Sequence, residues 1–326
     1  PDSYYNAIIN WVKQRYDLIV TKEVINFVPG IVPGIGMAMN CFTQKGDKVM
    51  IQPPVYHPFA WVTTRNERTL VINPLRWENG MYRMDLDAFR EQIKGCKLFI
   101  LCNPHNPGGV VWTEAELRAI ADICYDEKVL VFSDEIHADL TLPPHTHRPF
   151  ATVSEKARMN SVTFMSPSKA FNMPGLSASH ALIFNEDLRK RFRIYMDAGE
   201  LDMGHVFAFL SVEAAYSHGT EWLDQCLAYI QGNIDFVDEF LKKHAPKIKA
   251  IRPEASYLVW LDCRELELSQ KDLNEFFVDK AHLALNDGEM FGKEGIGFMR
   301  LNVASPRCII EKAMKQLADA YQLYIK

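Results

Sequence analysis

Three residues with catalytic potential follow three successive apolar segments of the sequence. Asn106 lies in a loop rich in Pro and Gly, Asp134 follows the segment 129–133, and Lys169 follows the segment 162–165. Because the carboxyl ends of parallel strands meet at one edge of a sheet, we expect the three side chains to converge. A desolvated lysine amine is a nucleophile and a base. Taken singly, each residue also has an ordinary explanation: a turn, a helix cap or a solvated lysine.

The elements that would position these residues alternate along the first two thirds of the chain. Short apolar runs predict strands at 24–28, 48–51, 69–72, 98–102, 129–133, 162–165 and 181–184. Apolar residues at helical spacing predict helices near 4–16, 34–43, 56–65, 85–93 and 114–127. Continuous apolar strands suit a sheet that is covered on both faces. The pattern therefore predicts an α/β fold with a mostly parallel, seven-stranded sheet between helices.

The pattern changes from about residue 186. Helices dominate to about residue 243, followed by strands at 257–261 and 298–303 and a closing helix at 306–324. We interpret this as a second, smaller α+β unit. The predicted domains are 1–220 and 221–326, with the boundary near His218 and Gly219.

Five strings across the chain resemble one family. They are PPVYHPF (53–59), NPHNPGG (103–109), SDEIH (133–137), SPSKAFN (166–172) and FMRLN (298–302). They resemble the fold type I enzymes that depend on pyridoxal 5′-phosphate (PLP), the aspartate aminotransferase superfamily. Within it, the match is to the cystathionine β-lyase-like branch known as MalY/PatB or cysteine-S-conjugate β-lyases. The resemblance implies a PLP-dependent transferase-like fold and PLP as cofactor.

The resemblance assigns four residues to the cofactor ring. Lys169 is expected to hold PLP through a Schiff base and later to remove the substrate Cα proton. Asp134 is expected to pair with the pyridine nitrogen and Asn106 to donate to the 3-oxygen of the ring. Tyr56 is expected to stack on the ring face.

Further roles concern the phosphate and the substrate. Ser166 and the backbone N–H groups of Ile31 and Val32, ahead of a helix starting near Pro33, are expected to bind the phosphate. Arg300 is expected to bind the substrate carboxylate with its two-pronged guanidinium. The residues before Pro33 could instead simply mark the start of a helix, and Arg300 could form an ion pair on the surface.

Two positions depart from the wider superfamily. His137 stands where many aminotransferases have Tyr, and we include it among the cofactor-binding candidates. Ser177 stands eight residues after Lys169, where they have a phosphate-binding Arg, with Ser179 nearby. Both departures agree with the lyase-like branch.

The sequence begins with Pro1 rather than Met. The family normally carries several dozen residues ahead of this point, which reach over the active site and supply a tyrosine to the neighbouring subunit's phosphate. Their loss would affect dimer packing and activity.

Three functions follow from the resemblance. The first is a C–S β-lyase that cleaves L-cystathionine or other cysteine S-conjugates to a thiol, pyruvate and ammonia. The second is a class I/II aminotransferase on the same scaffold, and the third is a PLP-binding regulator acting through a partner. The resemblance also implies a homodimer that acts on a small amino acid.

Composition excludes other classes. The chain has 36 basic and 41 acidic residues without a basic half, and no apolar run reaches the length of a membrane span, so we expect neither a nucleic-acid partner nor a membrane segment. No signal peptide is apparent, and seven scattered cysteines without CxxC spacing indicate reduced thiols in the cytoplasm. We expect no metal site, because His145 and His147 lack clustered partners and fit a surface loop.

Overall fold

A computed structural model describes residues 1–324 of the chain. Its strands are β1 (Ile25–Val28), β2 (Lys48–Ile51), β3 (Thr69–Ile72), β4 (Arg76–Glu78), β5 (Met81–Arg83), β6 (Cys96–Cys102), β7 (Leu130–Asp134), β8 (Ser161–Met165), β9 (Ser179–Leu182), β10 (Lys249–Ile251), β11 (Leu258–Asp262), β12 (Asn286–Asp287) and β13 (Phe298–Asn302). Its α-helices are α1 (Asp2–Tyr16), α2 (Ile31–Phe42), α3 (Pro58–Arg65), α4 (Leu86–Gln92), α5 (Glu114–Asp126), α6 (Glu155–Met159), α7 (Glu186–Ala198), α8 (Val206–His218), α9 (Thr220–His244), α10 (Gln270–Glu275) and α11 (Arg307–Tyr324).

The large sheet contains seven strands in the order β1-β9-β8-β7-β6-β2-β3. Strands β3, β2, β6, β7 and β8 run parallel to one another, whereas β9 is antiparallel to both β8 and β1. All seven predicted strands are present, and their ends agree with the prediction to within two residues. The predicted α/β fold with a mostly parallel sheet is confirmed.

The two central strands of this sheet are apolar because both of their faces are covered. Phe99 and Leu101 of β6 pack into one core with α4 and α5, while Leu98 and Ile100 pack into another with α2 and α3. Successive side chains of a strand point to opposite faces, so each strand serves two cores. The carboxyl ends of β6 and β7 are thereby fixed side by side.

A second sheet has the order β10-β11-β13-β12 and is antiparallel throughout. Its apolar face packs with α9 and α11 around a separate core. The short strands β10 and β12 and the hairpin β4–β5 escaped the sequence analysis, since two or three residues give no readable alternation. The helices α8 and α9 meet at Gly219, within the predicted boundary region, but the division at residue 220 stays a prediction.

None of the helices between residues 1 and 324 combines the length and the hydropathy that a bilayer crossing requires.

A buried asparagine ties α9 to the loop that follows β13. The amide of Asn233 donates to the carbonyls of Val303 (2.9 Å) and Ser305 (3.0 Å), and its oxygen accepts from the Arg307 Nε (2.8 Å). Asn233 is fully buried, so its own amide has no access to water as a substitute partner. This contact fixes the loop next to the strand that carries Arg300.

We expect Asn233→Ala to lower the free energy of unfolding by roughly 2–4 kcal/mol, because it leaves two carbonyls and the Arg307 Nε without this partner. Urea denaturation measures the loss. Gln225→Ala, on the exposed side of the same helix, is the control and should change stability by less than about 0.5 kcal/mol. Equal stability of the two variants would contradict this account of the loop.

Candidate active site

A cavity of about 370 Å³ lies at the carboxyl ends of β6 and β7, between the two sheets. Cys102 of β6 and Asp134 of β7 are paired in register, so the loops after both strands open into the same space. Eight of the nine predicted site residues line it: Ile31, Val32, Tyr56, Asn106, Asp134, His137, Lys169 and Arg300. The predicted convergence of Asn106, Asp134 and Lys169 is what the structure shows, and Ser166 is the exception.

Asp134 is a buried carboxylate with little support from the protein. Its Oδ1 accepts one hydrogen bond, from the backbone N–H of Ile136 at 3.0 Å. Burial raises the pKa of Asp134 to about 7; the Ile136 hydrogen bond and the Lys169 charge oppose the rise, whereas Glu135 adds to it. A buried carboxylate that faces a cavity in this state favours a ligand that brings a proton donor or a positive charge.

Glu135, the next residue, is also buried but is fully paired. Its Oε1 accepts from the Ser133 hydroxyl and from the Phe150 N–H (both 2.8 Å), and its Oε2 lies 2.7 Å from the His147 Nε2. The expectation that His147 lies in a plain surface loop was therefore wrong: its side chain is 1% exposed, while His145 is 40% exposed. Among the described residues, no group of three side chains suited to a metal is found.

Arg300 is a half-buried cation held by amides. Its Nη1 donates to Asn106 Oδ1 and its Nη2 to Asn286 Oδ1 (both 2.8 Å), while its Nε is buried without a partner. The guanidinium also lies 4.6 Å from the ring centroid of Phe291. Burial lowers the pKa of Arg300 to about 10, with Tyr56 and Tyr257 opposing the change. Because neither hydrogen bond neutralises the charge, the site favours an anionic ligand.

Two further rings complete the wall beside Lys169. Burial lowers the pKa of His137 to about 3, and the positive charges of Lys169 and Arg300 act in the same direction. His137 is therefore neutral at physiological pH. Tyr257, which immediately precedes β11, stands 6.3 Å from the His137 ring.

The first turn of α2 forms the opposite wall. The helix begins at Ile31, two to three residues earlier than predicted, after Gly30 with φ of 138°. The Gly34 N–H is bonded to the Gly30 carbonyl (2.9 Å), and Pro33 has no N–H. The N–H groups of Ile31 and Val32 are thus first-turn donors without helical acceptors, as in an anion-binding helix terminus.

Ser166 lies behind the cavity wall, not on it. Its hydroxyl donates to the Ala178 carbonyl (2.7 Å) and accepts from the Ser168 N–H (3.1 Å). Ser168, two residues on, lines the cavity and has its hydroxyl 2.8 Å from that of Ser166. The contact of Ser166 with a phosphate stays a prediction; in this structure its hydroxyl braces the loop.

Sequence reasoning also missed Ser168, Tyr257, Asn286 and Asn302. Ser168 belongs to the same sequence string as Lys169, directly before it. Asn302 follows Arg300 by two residues, and this spacing places both on one face of β13. Tyr257 and Asn286 carry no such local signal, since only the tertiary fold brings them to Arg300.

A sequence model of the family "Aminotransferase class I and II" matches residues 2–317. The chain belongs to this family. Among curated relatives, it is 38% identical to cystathionine beta-lyase PatB of Bacillus subtilis (strain 168), over 97% of this chain and 82% of that protein. It is 29% identical to protein MalY of Escherichia coli (strain K12), over 98% of this chain and 82% of that protein.

A solved structure of the family gives the same result. Cystalysin from Treponema denticola, whose crystal contains a pyridoxal 5′-phosphate cofactor, superimposes with a TM-score of 0.97 and 34% identity, covering 100% of this chain and 83% of that one. The predicted resemblance to the MalY/PatB branch of the family is confirmed.

The proton affinity of Asp134 has a measurable effect on stability. In protein free of bound ligand, the native carboxyl keeps a proton that the unfolded chain releases, so the free energy of unfolding falls as pH rises through this range. A pKa change from 3.8 to about 7 corresponds to a loss of up to about 4 kcal/mol. Urea denaturation at pH 4.5 and 8, which are about the two ends of this window, measures the loss.

Asp134→Asn keeps an oxygen for the Ile136 N–H but cannot ionise, so its stability should fall less over the same interval. Parallel curves for the two proteins would show that Asp134 titrates normally.

Proposed function

We propose that the chain is a PLP-dependent carbon–sulfur β-lyase. It would cleave L-cystathionine or other cysteine S-conjugates to a thiol, pyruvate and ammonia. The observation that carries the proposal is the single cavity shared by an amine, Lys169, an unpaired buried carboxylate, Asp134, and an unneutralised guanidinium, Arg300. The relatives named cystathionine beta-lyase support the choice of reaction within the family.

The residues present fit PLP. A ring nitrogen that carries a proton would give Asp134 the donor that its buried carboxylate lacks. The amide oxygen of Asn106 is engaged by Arg300, which leaves its NH₂ group to donate to the ring oxygen. The first-turn N–H groups of Ile31 and Val32, together with the Ser168 hydroxyl, suit a phosphate. Tyr56 lines the same space, where it would stack on the cofactor ring.

When bound, PLP supplies an electron-accepting ring that stabilises negative charge on the substrate Cα. The protein's own contribution is to bind, orient and move protons. Asp134 would hold the ring proton, Arg300 would bind the substrate carboxylate through its two-pronged fork, and the Lys169 amine would take the Cα proton. His137 is uncharged, so the positive charge in this part of the site would come from Lys169 and Arg300 alone.

We also propose a homodimer in the cytoplasm. Met203, Val206, Phe207 and Leu210 are more than half exposed and lie close together in the chain at the start of α8, which supports a protein–protein interface there. All seven cysteines are free thiols, in keeping with a reducing compartment.

The lyase reaction is tested with the PLP-loaded protein and L-cystathionine or S-methyl-L-cysteine, without any added keto acid. We expect pyruvate and ammonia in equal amounts, and a loss of at least about a thousandfold in Lys169→Ala, which lacks the base. Lys190→Ala, on the surface of α7, is the matched control. A keto-acid requirement without ammonia release would identify an aminotransferase, and no turnover of any amino acid would leave a regulator.

The two serines ahead of Lys169 are predicted to differ in their effect on the cofactor. Ser168→Ala removes a hydroxyl from the cavity and should weaken the affinity for PLP by roughly tenfold, the value of about one hydrogen bond to a charged group. Ser166→Ala should act mainly on stability, because it frees the Ala178 carbonyl. Titration of cofactor-free protein with PLP, followed by absorbance, separates the two effects. A larger loss of affinity in Ser166→Ala would restore the original assignment.

A further inference from the structure

A buried pair of side chains, Glu135 and His147, adjoins the cavity residue Asp134. Glu135 follows Asp134 directly, at the end of β7, and neither member of the pair lines the cavity. The Glu135 Oε2 lies 2.7 Å from the His147 Nε2, and the two side chains are 0% and 1% exposed. Because water does not reach either group, a charge on this pair acts on its neighbours with little screening.

The hydrogen bonds of Glu135 are those of an ionised carboxylate. Its Oε1 accepts from the Ser133 hydroxyl and from the Phe150 N–H, both at 2.8 Å, while its Oε2 faces His147. Ser133 and Phe150 can only donate to Oε1 in this arrangement. Donors on both oxygens stabilise the negative form of a carboxyl group over the protonated form.

The His147 ring limits the number of protons on the pair. Its Nδ1 is buried and has no hydrogen-bond partner among the described residues. A single proton sits on Nε2, between the two residues, and leaves Nδ1 as a bare lone pair. A second proton on the ring goes to Nδ1, and one on the carboxyl makes Nε2 the acceptor, which also moves the ring proton to Nδ1. Either way a buried N–H has no acceptor, so the pair keeps one proton and a net negative charge.

The other titratable groups near the pair do not give Nδ1 a partner. The Tyr16 ring packs edge-on against the His147 ring (centroids 5.5 Å apart, planes at 81°), and its hydroxyl donates to Asp139. The Asp139 Oδ1 also accepts from the Trp11 Nε1 at 2.9 Å. Burial raises the pKa of Asp139, against these hydrogen bonds and the charge of Arg15. Asp139 is thus bonded to Tyr16 and Trp11 and not to the histidine.

Asp134 itself has four titratable neighbours. Burial is the main cause of its raised pKa; Glu135 adds to the rise, and the positive charge of Lys169 opposes it. Burial also raises the pKa of Tyr56 and of the Cys102 thiol, so both of these are neutral. Glu135 is therefore the neighbouring charge that makes a proton on Asp134, or on a group bonded to it, harder to remove.

We propose that Glu135 and His147 form a negatively charged pair that strengthens the hold of Asp134 on a proton, and so keep the nitrogen of the bound PLP ring protonated. A protonated ring accepts electrons from the substrate Cα better than a neutral one. Both residues act through Asp134 and are positioning residues. The inference rests on the cofactor part of the proposed function and not on the choice between lyase and aminotransferase.

Titration of the ligand-free protein tests the charge of the pair. Aspartate labelled with ¹³C at the side-chain carboxyl gives an NMR signal for Asp134, which is assigned by its absence in Asp134→Asn. Glu135→Gln keeps an oxygen for the two Oε1 donors but removes the charge. It should lower the Asp134 midpoint by roughly one pH unit, as expected for one nearby charge at an effective dielectric constant of about 20. Glu127→Gln, exposed directly after α5, is the control and should leave the midpoint in place. An unchanged midpoint in Glu135→Gln would overturn the proposal.

Two measurements on His147 do not require Glu135→Gln to fold. His147→Gln keeps an N–H donor for Glu135 and should leave the Asp134 midpoint in place. A rise would contradict the proposal, because it would show that the histidine carries a positive charge that cancels the carboxylate. In the unaltered protein, ¹⁵N NMR of labelled histidine should show a neutral His147 ring with its proton on Nε2 at neutral pH. An imidazolium at this position would also contradict it.

Turnover separates this inference from the proposed reaction. In the PLP-loaded enzyme, Glu135→Gln should lower the kcat for pyruvate formation severalfold with little change in KM, because the ring nitrogen would hold its proton less firmly. If the Asp134 midpoint falls but no cysteine conjugate yields pyruvate, the pair acts as proposed and the lyase reaction is wrong. If pyruvate forms and the midpoint does not move, the lyase stands and the pair is only structural.

Discussion

A carboxylate buried beside another carboxylate constrains the rest of this structure. Asp134 ends a central strand and faces inward, with one backbone N–H as its hydrogen-bond donor and Glu135 as its neighbour. Burial of an unpaired charge opposes folding, so such a group is kept only where a bound ligand offsets the free-energy cost or where function requires the charge. The parallel sheet provides the setting, because its two covered faces fix the ends of β6 and β7 and leave one open edge.

The protein treats the two adjacent acids in opposite ways. Glu135 is satisfied by Ser133, Phe150 and His147, which makes it part of the scaffold. Asp134 accepts a single hydrogen bond and faces the cavity. The same contrast separates Ser166, which braces its loop, from Ser168, which faces the open space. In both pairs, one polar residue forms hydrogen bonds within the scaffold, and this rigid scaffold holds the other residue in a fixed direction toward the cavity.

Most of the fold could be predicted from the sequence, and the site in large part. Strands such as β6 and β7 were readable because burial on both faces leaves a continuous apolar run, and the strings around Asn106, Asp134 and Lys169 are local. Orientation was not readable: Ser166 and Ser168 have the same chemistry, and only the loop conformation decides which faces the cavity. Contacts between distant segments, such as that of Asn286 with Arg300 or His147 with Glu135, leave no pattern of spacing at all.

The hydrogen bond from Arg300 to Asn106 joins the second sheet to a loop of the first. In the proposed function, the same asparagine amide would therefore contact both the guanidinium that binds the substrate and the oxygen of the cofactor ring. An anion that attracts the Arg300 guanidinium would also shift the Asn106 amide, because the two are hydrogen-bonded. Binding at one end of the site would then be felt at the other through a single side chain, so the absorbance of the bound cofactor would report when the substrate's acid group has bound.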